Sequence, residues 1–303
     1  MTDKYARLVN MAAWLATIVA TTLMLVKLAT WWVTGSVSLL ASLIDSMLDI
    51  AASVTNLIVI RYALQPADDE HTFGHGKAES LAALAQAMFI SGSACFLLLN
   101  GFDRLFRPHE VTSPELGVAV SLFAIVLTSG LIAVQKRVVK STGSQAIAAD
   151  SLHYQSDLLM NAAIMLALLL SWFGWSQADA IFAILIGVYI LYSAFKMAFE
   201  AVQSLLDRQL PEEELSQIRE ITLSIERVHG VHQLRTRLAG PVRFIQLHLE
   251  LDDDLKLIDA HQIADDVEDA LMAAFPYSDI MIHQDPKSVV LKSDREQSQM
   301  KLS

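Results

Sequence analysis

Six apolar stretches, each long enough to cross a lipid bilayer as a helix, dominate this chain. They run over about 8–33, 38–63, 79–106, 115–139, 146–171 and 178–203. A bilayer core needs ~20 apolar residues of helix, and a chain in hydrocarbon satisfies its backbone only as a helix or a closed barrel. Turn-forming breaks separate the stretches at Thr34-Gly35-Ser36, Pro66-Ala67-Asp68, Arg107-Pro108, Ser141-Thr142-Gly143 and Gly174-Trp175. A composition 53% hydrophobic and 18% charged, with a mean hydropathy of +0.42, is likewise too apolar for an ordinary soluble domain. The first stretch is too long for a signal-peptide core and no small-residue cleavage site follows it, so it reads as a retained span. Lys4, Arg7, Arg61, Lys77, Lys136, Arg137, Lys140 and Arg208 fall on one side of the spans, and Arg104 and Arg107 on the other. The positive-inside rule then predicts six spans with both termini cytoplasmic.

Beyond Pro211 the pattern changes to that of a water-soluble domain. Pro211-Glu212-Glu213-Glu214 starts an amphipathic helix that runs to about Arg227. Val231–Leu238 and Val242–Leu251 alternate as strands, joined at Ala239-Gly240-Pro241 as a hairpin. Leu257–Phe275 carries Ile263, Val267, Leu271 and Ala274 on one helical face, and a last strand covers about Asp279–His283. The predicted class is therefore a membrane all-α six-helix transmembrane domain followed by a small α/β (αββαβ) cytoplasmic domain, with helices on one side of a three-stranded sheet. The expected boundaries are 1–207 for the spans, 208–290 for the soluble domain, and 291–303 for a polar tail without periodicity that reads as disordered. A net charge of −11 and a pI near 5.2 argue against nucleic acid as a partner.

The chemistry-bearing residues fall into three groups. Asp45 and Asp49 in the second span, and His153 and Asp157 in the fifth, repeat a four-residue spacing that sets each pair on one helix face. Charges within hydrocarbon are expensive and mark pathways or partners, and these four supply enough nitrogen and oxygen donors for a closed tetrahedral Zn²⁺ site. Asn56 and Asn161, also within spans, read as interhelical hydrogen-bonding groups. Asp68, His71 and His75 form a second group in the loop after the second span, where Gly74 and Gly76 let the backbone fold around an ion. The third group is His232, His248, His261, His283 and Asp285 in the soluble domain. Strand alternation places Ile245, Leu247 and Leu249 toward the core and His248 on the other face, with Ile280 and Ile282 inward and His283 outward. Seven of the nine histidines belong to these groups, leaving His109 and His229. A single cysteine, Cys95, excludes an intrachain disulfide and any thiolate-built zinc site.

These residues carry a resemblance to a known family. Ser38-Leu39-Leu40-Ala41-Ser42-Leu43-Ile44-Asp45-Ser46-Met47-Leu48-Asp49, Phe73-Gly74-His75-Gly76-Lys77-Ala78-Glu79, Asp150-Ser151-Leu152-His153-Tyr154-Gln155-Ser156-Asp157 and His283-Gln284-Asp285-Pro286 together resemble the cation diffusion facilitators over about residues 1–290. The resemblance implies a homodimer in the bacterial inner membrane that exchanges Zn²⁺ for H⁺ through Asp45, Asp49, His153 and Asp157. It implies a binuclear cytoplasmic site at His232, His248, His261, His283 and Asp285, with the aspartate bridging two ions and Gln284 beside it. It also implies a loop site at Asp68, His71 and His75, an ion pair between Lys77 and Asp207 that locks the third and sixth helices, and a hydrophobic gate at Leu152. The expected function is export of Zn²⁺, or of Cd²⁺ or Fe²⁺, which mixed N/O ligation also accepts. A membrane-embedded zinc sensor and a passive metal channel are the alternatives. A zinc enzyme is not expected, because no His-Glu-x-x-His motif is present.

Overall fold

The computed structural model describes residues 3–34, 37–106, 115–172 and 178–290. The 291–303 tail, His109 and the breaks at Gly35-Ser36, Arg107-Pro108 and Gly174-Trp175 lie outside the described residues. Two compact units divide the chain, Thr2–Leu205 and the part from Leu206 onward. The first holds α1 (Asp3–Thr34), α2 (Val37–Ala63), α3 (Ala78–Phe106), α4 (Glu115–Thr142), α5 (Gln145–Trp172) and α6 (Ala178–Leu205). Among the described residues, five of these are long and apolar enough to cross a membrane. The exception is α5, as long as its neighbours but loaded in its first half with Asp150, Ser151, His153, Gln155, Ser156 and Asp157.

Helix–helix packing in this unit follows the membrane rule that small residues bring backbones together. The most extensive pairing is α3 with α6, whereas α2 and α5 meet sparsely. A Cβ on Gly187 of α6 would lie 2.8 Å from the Leu98 side chain of α3, and one on Gly101 of α3 would lie 2.9 Å from Ile184 of α6. Ile90, Ala94, Leu152, Ile190 and Ala194 form a buried cluster joining α3, α5 and α6.

One end of the bundle is tied by a buried carboxylate. Glu79, in the first turn of α3, accepts from Tyr5 Oη of α1 at 2.8 Å and from Ser144 Oγ at 2.7 Å. Ser144 in turn caps α5, its Oγ accepting from the Ile147 N–H at 3.4 Å. The preceding Gly143 takes φ +68°, and its N–H bonds the Val139 carbonyl at 2.8 Å, closing α4 in the left-handed conformation that glycine adopts without strain.

The second unit holds α7 (Glu212–Ser224), β1 (Gly230–Ala239), β2 (Val242–Leu251), α8 (Leu257–Ala274) and β3 (Ser278–Pro286). The sheet order is β1-β2-β3, with β1 antiparallel and β3 parallel to the central β2. Ile245, Leu247 and Leu249 of β2 pack with Leu215 and Ile218 of α7 and with Ile263, Val267 and Leu271 of α8. Truncating one such buried leucine to alanine costs about 2–5 kcal/mol. The hairpin turns on Gly240-Pro241 with φ +57° at the glycine, the first position of the two-residue turn.

Strict alternation along β1 does not hold. Its register slips between His232, opposite His248, and Arg235, opposite Gln246, so one extra residue is absorbed as a bulge. Gln233 sits there with φ +49° and is exposed. The bulge lets Val231, Leu234 and Leu238 all pack on the core while His232 stays on the opposite face.

Candidate metal centres

The first centre joins two helices. Asp49 lies on α2, while His153 and Asp157 lie one turn apart on α5. His153 Nε2 is 3.2 Å from Asp49 Oδ1 and 3.7 Å from Asp157 Oδ2, and one donor atom from each of the three residues falls within a 4.8 Å cluster. The Asp45 side chain lies outside the described residues, although its backbone is helical. The histidine is 7% exposed and the two carboxylates are half-buried. Its ring contacts Phe89 edge-on. Leu152, beside it, joins the α3–α5–α6 cluster. Tyr154 fixes α5 against its neighbours: its single proton goes to the Ala16 carbonyl at 3.3 Å, so Ser53 Oγ donates to the Tyr154 oxygen at 2.8 Å.

Other polar groups in the spans behave differently from the sequence-based expectation or escaped it. Asn161 was expected to bond a neighbouring helix, but its Nδ2 donates to the Asp157 carbonyl of its own helix at 2.8 Å, one turn back. Asn56 is buried, and its Oδ1 has no hydrogen-bond partner among the described residues. Lys27, inside α1, donates to Ser46 Oγ of α2 at 2.7 Å. Asp150 is fully buried and accepts from Gln135 Nε2 at 2.7 Å and from Gln86 Nε2 at 3.5 Å. A charge inside an apolar run was the signal for both. Neither belongs to a pair at the four-residue spacing of the metal-ligating groups.

The loop group also converges. Asp68 Oδ1 accepts from the His71 backbone N–H at 2.6 Å and lies 3.3 Å from His71 Nδ1, while Asp68 Oδ2 is 3.3 Å from His75 Nε2. The backbone donor of His71, with its ring and that of His75, holds the Asp68 carboxyl below the usual carboxylate range. His75 is buried, its Nδ1 3.2 Å from the Pro66 carbonyl and its ring edge-on to Tyr62, whereas Asp68 and His71 are exposed. Of the two loop glycines, Gly74 takes the left-handed conformation, at φ +76°. Lys77 Nζ donates to the Leu205 carbonyl at 3.4 Å, which links the start of α3 to the end of α6. Asp207 belongs to the other unit, where it takes φ 58° and accepts from Arg237 at 3.4 Å.

In the C-terminal unit the sheet aligns its histidines. Register places His232 opposite His248, and His248 opposite His283, in one row across all three strands. Asp285 lies two residues along β3 on the same face, beside Glu250. Its Oδ2 is 3.3 Å from His232 Nε2 and 2.7 Å from His248 Nδ1, and its Oδ1 is 3.1 Å from His283 Nε2. The two carboxylate oxygens thus face different histidines, the arrangement a bridging ligand needs. Burial pushes the Asp285 carboxyl up, but the hydrogen bond with His248 and the charges of His283, His248 and His232 outweigh it and hold it below the usual range. Two predicted members stand apart. His261 lies on α8, exposed and 3.6 Å from Asp265, outside the cluster formed by His232, His248 and Asp285. Gln284 pairs with Leu249 and so shares the parity of the core face, opposite to His283 and Asp285. His229, unassigned by its sequence position, pairs with Asp252 at 2.6 Å.

Comparison with known proteins fits both units. Residues 13–206 match the cation efflux transmembrane domain, and residues 210–287 match the cytoplasmic domain of cation efflux proteins. The chain is 59% identical over 290 residues to the cation-efflux pump FieF of Citrobacter koseri and 60% identical to that of Klebsiella pneumoniae, covering 96% of this chain and 97% of each relative. A solved structure of the zinc form of a putative zinc transporter, CzrB, aligns at 38% identity with a TM-score of 0.26, over 27% of this chain and 94% of that one. Two matched domains that together span most of the sequence, and near-full-length identity of this order, place the chain in the cation efflux family, the cation diffusion facilitators, as a metal-ion-transporting membrane protein.

Proposed function

We propose that this chain is a homodimeric metal–proton antiporter of the bacterial inner membrane that exports Zn²⁺ from the cytoplasm by alternating access. The observation that carries the reading is the convergence of Asp49, His153 and Asp157 from two helices inside the membrane domain. Asp45, one turn before Asp49 on α2, completes the proposed ligand set. One imidazole and three carboxylates suit a borderline ion such as Zn²⁺, and Fe²⁺ and Cd²⁺ accept the same donors. Metal binding requires neutral imidazole and ionised carboxylates, so each loading event displaces the protons held there and each unloading event returns them. Antiport follows from that competition. A sensor needs no ligands at membrane depth, and a channel favours weaker, distributed binding than a multidentate cage. The matching relatives are named cation-efflux pumps, which agrees with transport and not with enzymatic turnover.

The further assignments are parts of the same proposal. Asp68, His71 and His75 hold an ion at the loop. His232, His248, His261, His283 and Asp285 hold two resident zinc ions in the cytoplasmic domain, with Gln284 as a supporting residue. Lys77 and Asp207 form a locking pair, and Leu152 is a hydrophobic gate. Boundaries at 207 and 290 separate the spans, the soluble domain and the tail. The test is reconstitution into vesicles holding a zinc-sensitive dye under an imposed pH gradient. Zn²⁺ flux that ignores the gradient, with no proton counterflow, overturns antiport in favour of a channel.

A further inference from the structure

We infer that Glu250 is a positioning residue for the cytoplasmic metal cluster, fixing the tautomer and ring orientation of His232. The inference rests on the reading of that cluster as a zinc site. Glu250 occupies the same sheet face as the histidine row, two residue pairs along from it, between Gly230 on β1 and Asp285 on β3. Its Oε1 lies 3.2 Å from His232 Nδ1, while His232 Nε2 faces Asp285. A neutral imidazole carries one N–H. With that proton on Nδ1 and donated to Glu250, Nε2 presents its lone pair where Asp285 presents its carboxylate. Metal-binding histidines commonly give their second nitrogen to a carboxylate in this way, and losing that partner typically costs 10–100-fold in metal affinity.

A second observation is independent of the hydrogen bond. A Cβ on Gly230 would stand 2.6 Å from the Glu250 carboxyl carbon and within 2.8 Å of both its oxygens. The missing side chain is the space in which that carboxylate sits. The Glu250 main chain is anchored as well, its carbonyl accepting from the His229 N–H at 2.9 Å. Gly230 does not take a positive φ, so alanine fits its backbone and would displace only the flexible end of Glu250.

The experiment uses the full-length protein in nanodiscs, with the intramembrane and loop centres disabled by Asp49→Ala, Asp157→Ala and His75→Ala. Zinc affinity at the cytoplasmic cluster is read by chelator competition, and the His232 tautomer by ¹⁵N shifts of labelled histidine in the zinc-free state. Glu250→Ala and Gly230→Ala should each weaken zinc binding by ~10–100-fold and remove the Nδ1–H form of His232. Glu250→Gln, whose amide oxygen still accepts the N–H, should keep that tautomer and most of the affinity. Parent-like affinity and tautomer in Glu250→Ala would overturn the inference. Equal losses in the Gln and Ala variants would overturn it too, marking Glu250 as a direct ligand. A parent that binds no zinc would instead sink the reading of the cluster as a metal site, while the tautomer measurement would still decide the part played by Glu250.

Discussion

The proposed intramembrane and cytoplasmic centres use similar donors on opposite kinds of scaffold. In the membrane, Asp49 comes from α2 and His153 with Asp157 from α5, two helices that otherwise meet sparsely. In the cytoplasmic domain, His232, His248 and His283 stand in one register row of a hydrogen-bonded sheet backed by a packed core. Sliding or tilting one helix against another changes the first ligand geometry at small packing cost, whereas moving one strand histidine breaks the sheet ladder. A site split between loosely paired helices suits a cargo that must leave. A row across a rigid sheet suits an ion that stays.

The largest expected effect tests the cargo side. Asp49→Ala or Asp157→Ala should abolish zinc flux in vesicles while the protein remains folded. Wild-type flux in either variant would remove the contrast altogether. Next, His232→Ala combined with His283→Ala should eliminate the thermal stabilisation that zinc confers on the cytoplasmic domain, about 2.7 kcal/mol when free zinc is 100-fold above Kd. The same double variant should retain proton-coupled flux, and equal loss in both assays would erase the division of labour. His153→Asp, which makes the intramembrane donors all oxygen, should move selectivity from Zn²⁺ toward Mn²⁺ in a competition flux assay. An unchanged ratio would locate selectivity elsewhere.

The smallest effect concerns pH. The Asp285 carboxyl is held below its unfolded value, so its contribution to the stability of the zinc-free domain is present above that unfolded value and is lost as pH falls through the folded one. Asp285→Asn should therefore flatten the acid limb of the melting-temperature profile below about pH 4, the ordinary carboxylate range. Zinc binding should fail earlier on the same descent, because the metal needs its imidazole ligands deprotonated. Coincident losses would mean that the carboxylate and the histidines titrate as one unit.

Much of this was legible from spacing alone. The six long helices begin and end within a few residues of the apolar stretches, because membrane thickness sets their length and polar breaks end them. The faces of β2 followed from alternation, and Ile245, Leu247 and Leu249 are buried where expected. What escaped depends on tertiary partners. Nothing near Glu79 in the sequence shows that Tyr5 and Ser144 meet it, since those contacts come from helices brought together by folding. Glu250 reads as an ordinary outward strand residue until the register sets it beside His232. Asn161 misled because an amide at membrane depth can satisfy itself on its own helix.

The bulge in β1 also sets which length changes this strand tolerates. Taking out Gln233 would leave Val231, His232, Leu234, Arg235, Thr236, Arg237 and Leu238 in unbroken alternation, with His232 still opposite His248 and the apolar residues still inward. It would also release one non-glycine residue from the left-handed region. Removing Arg235, Thr236 or Arg237 instead would leave Gln233 in the strand, turning it inward and Leu234 outward if the bulge closes, or turning Leu238 outward if it stays. Related chains that differ in length by one residue at Gln233 can therefore keep both the core and the histidine row, and an alignment gap there is structurally silent.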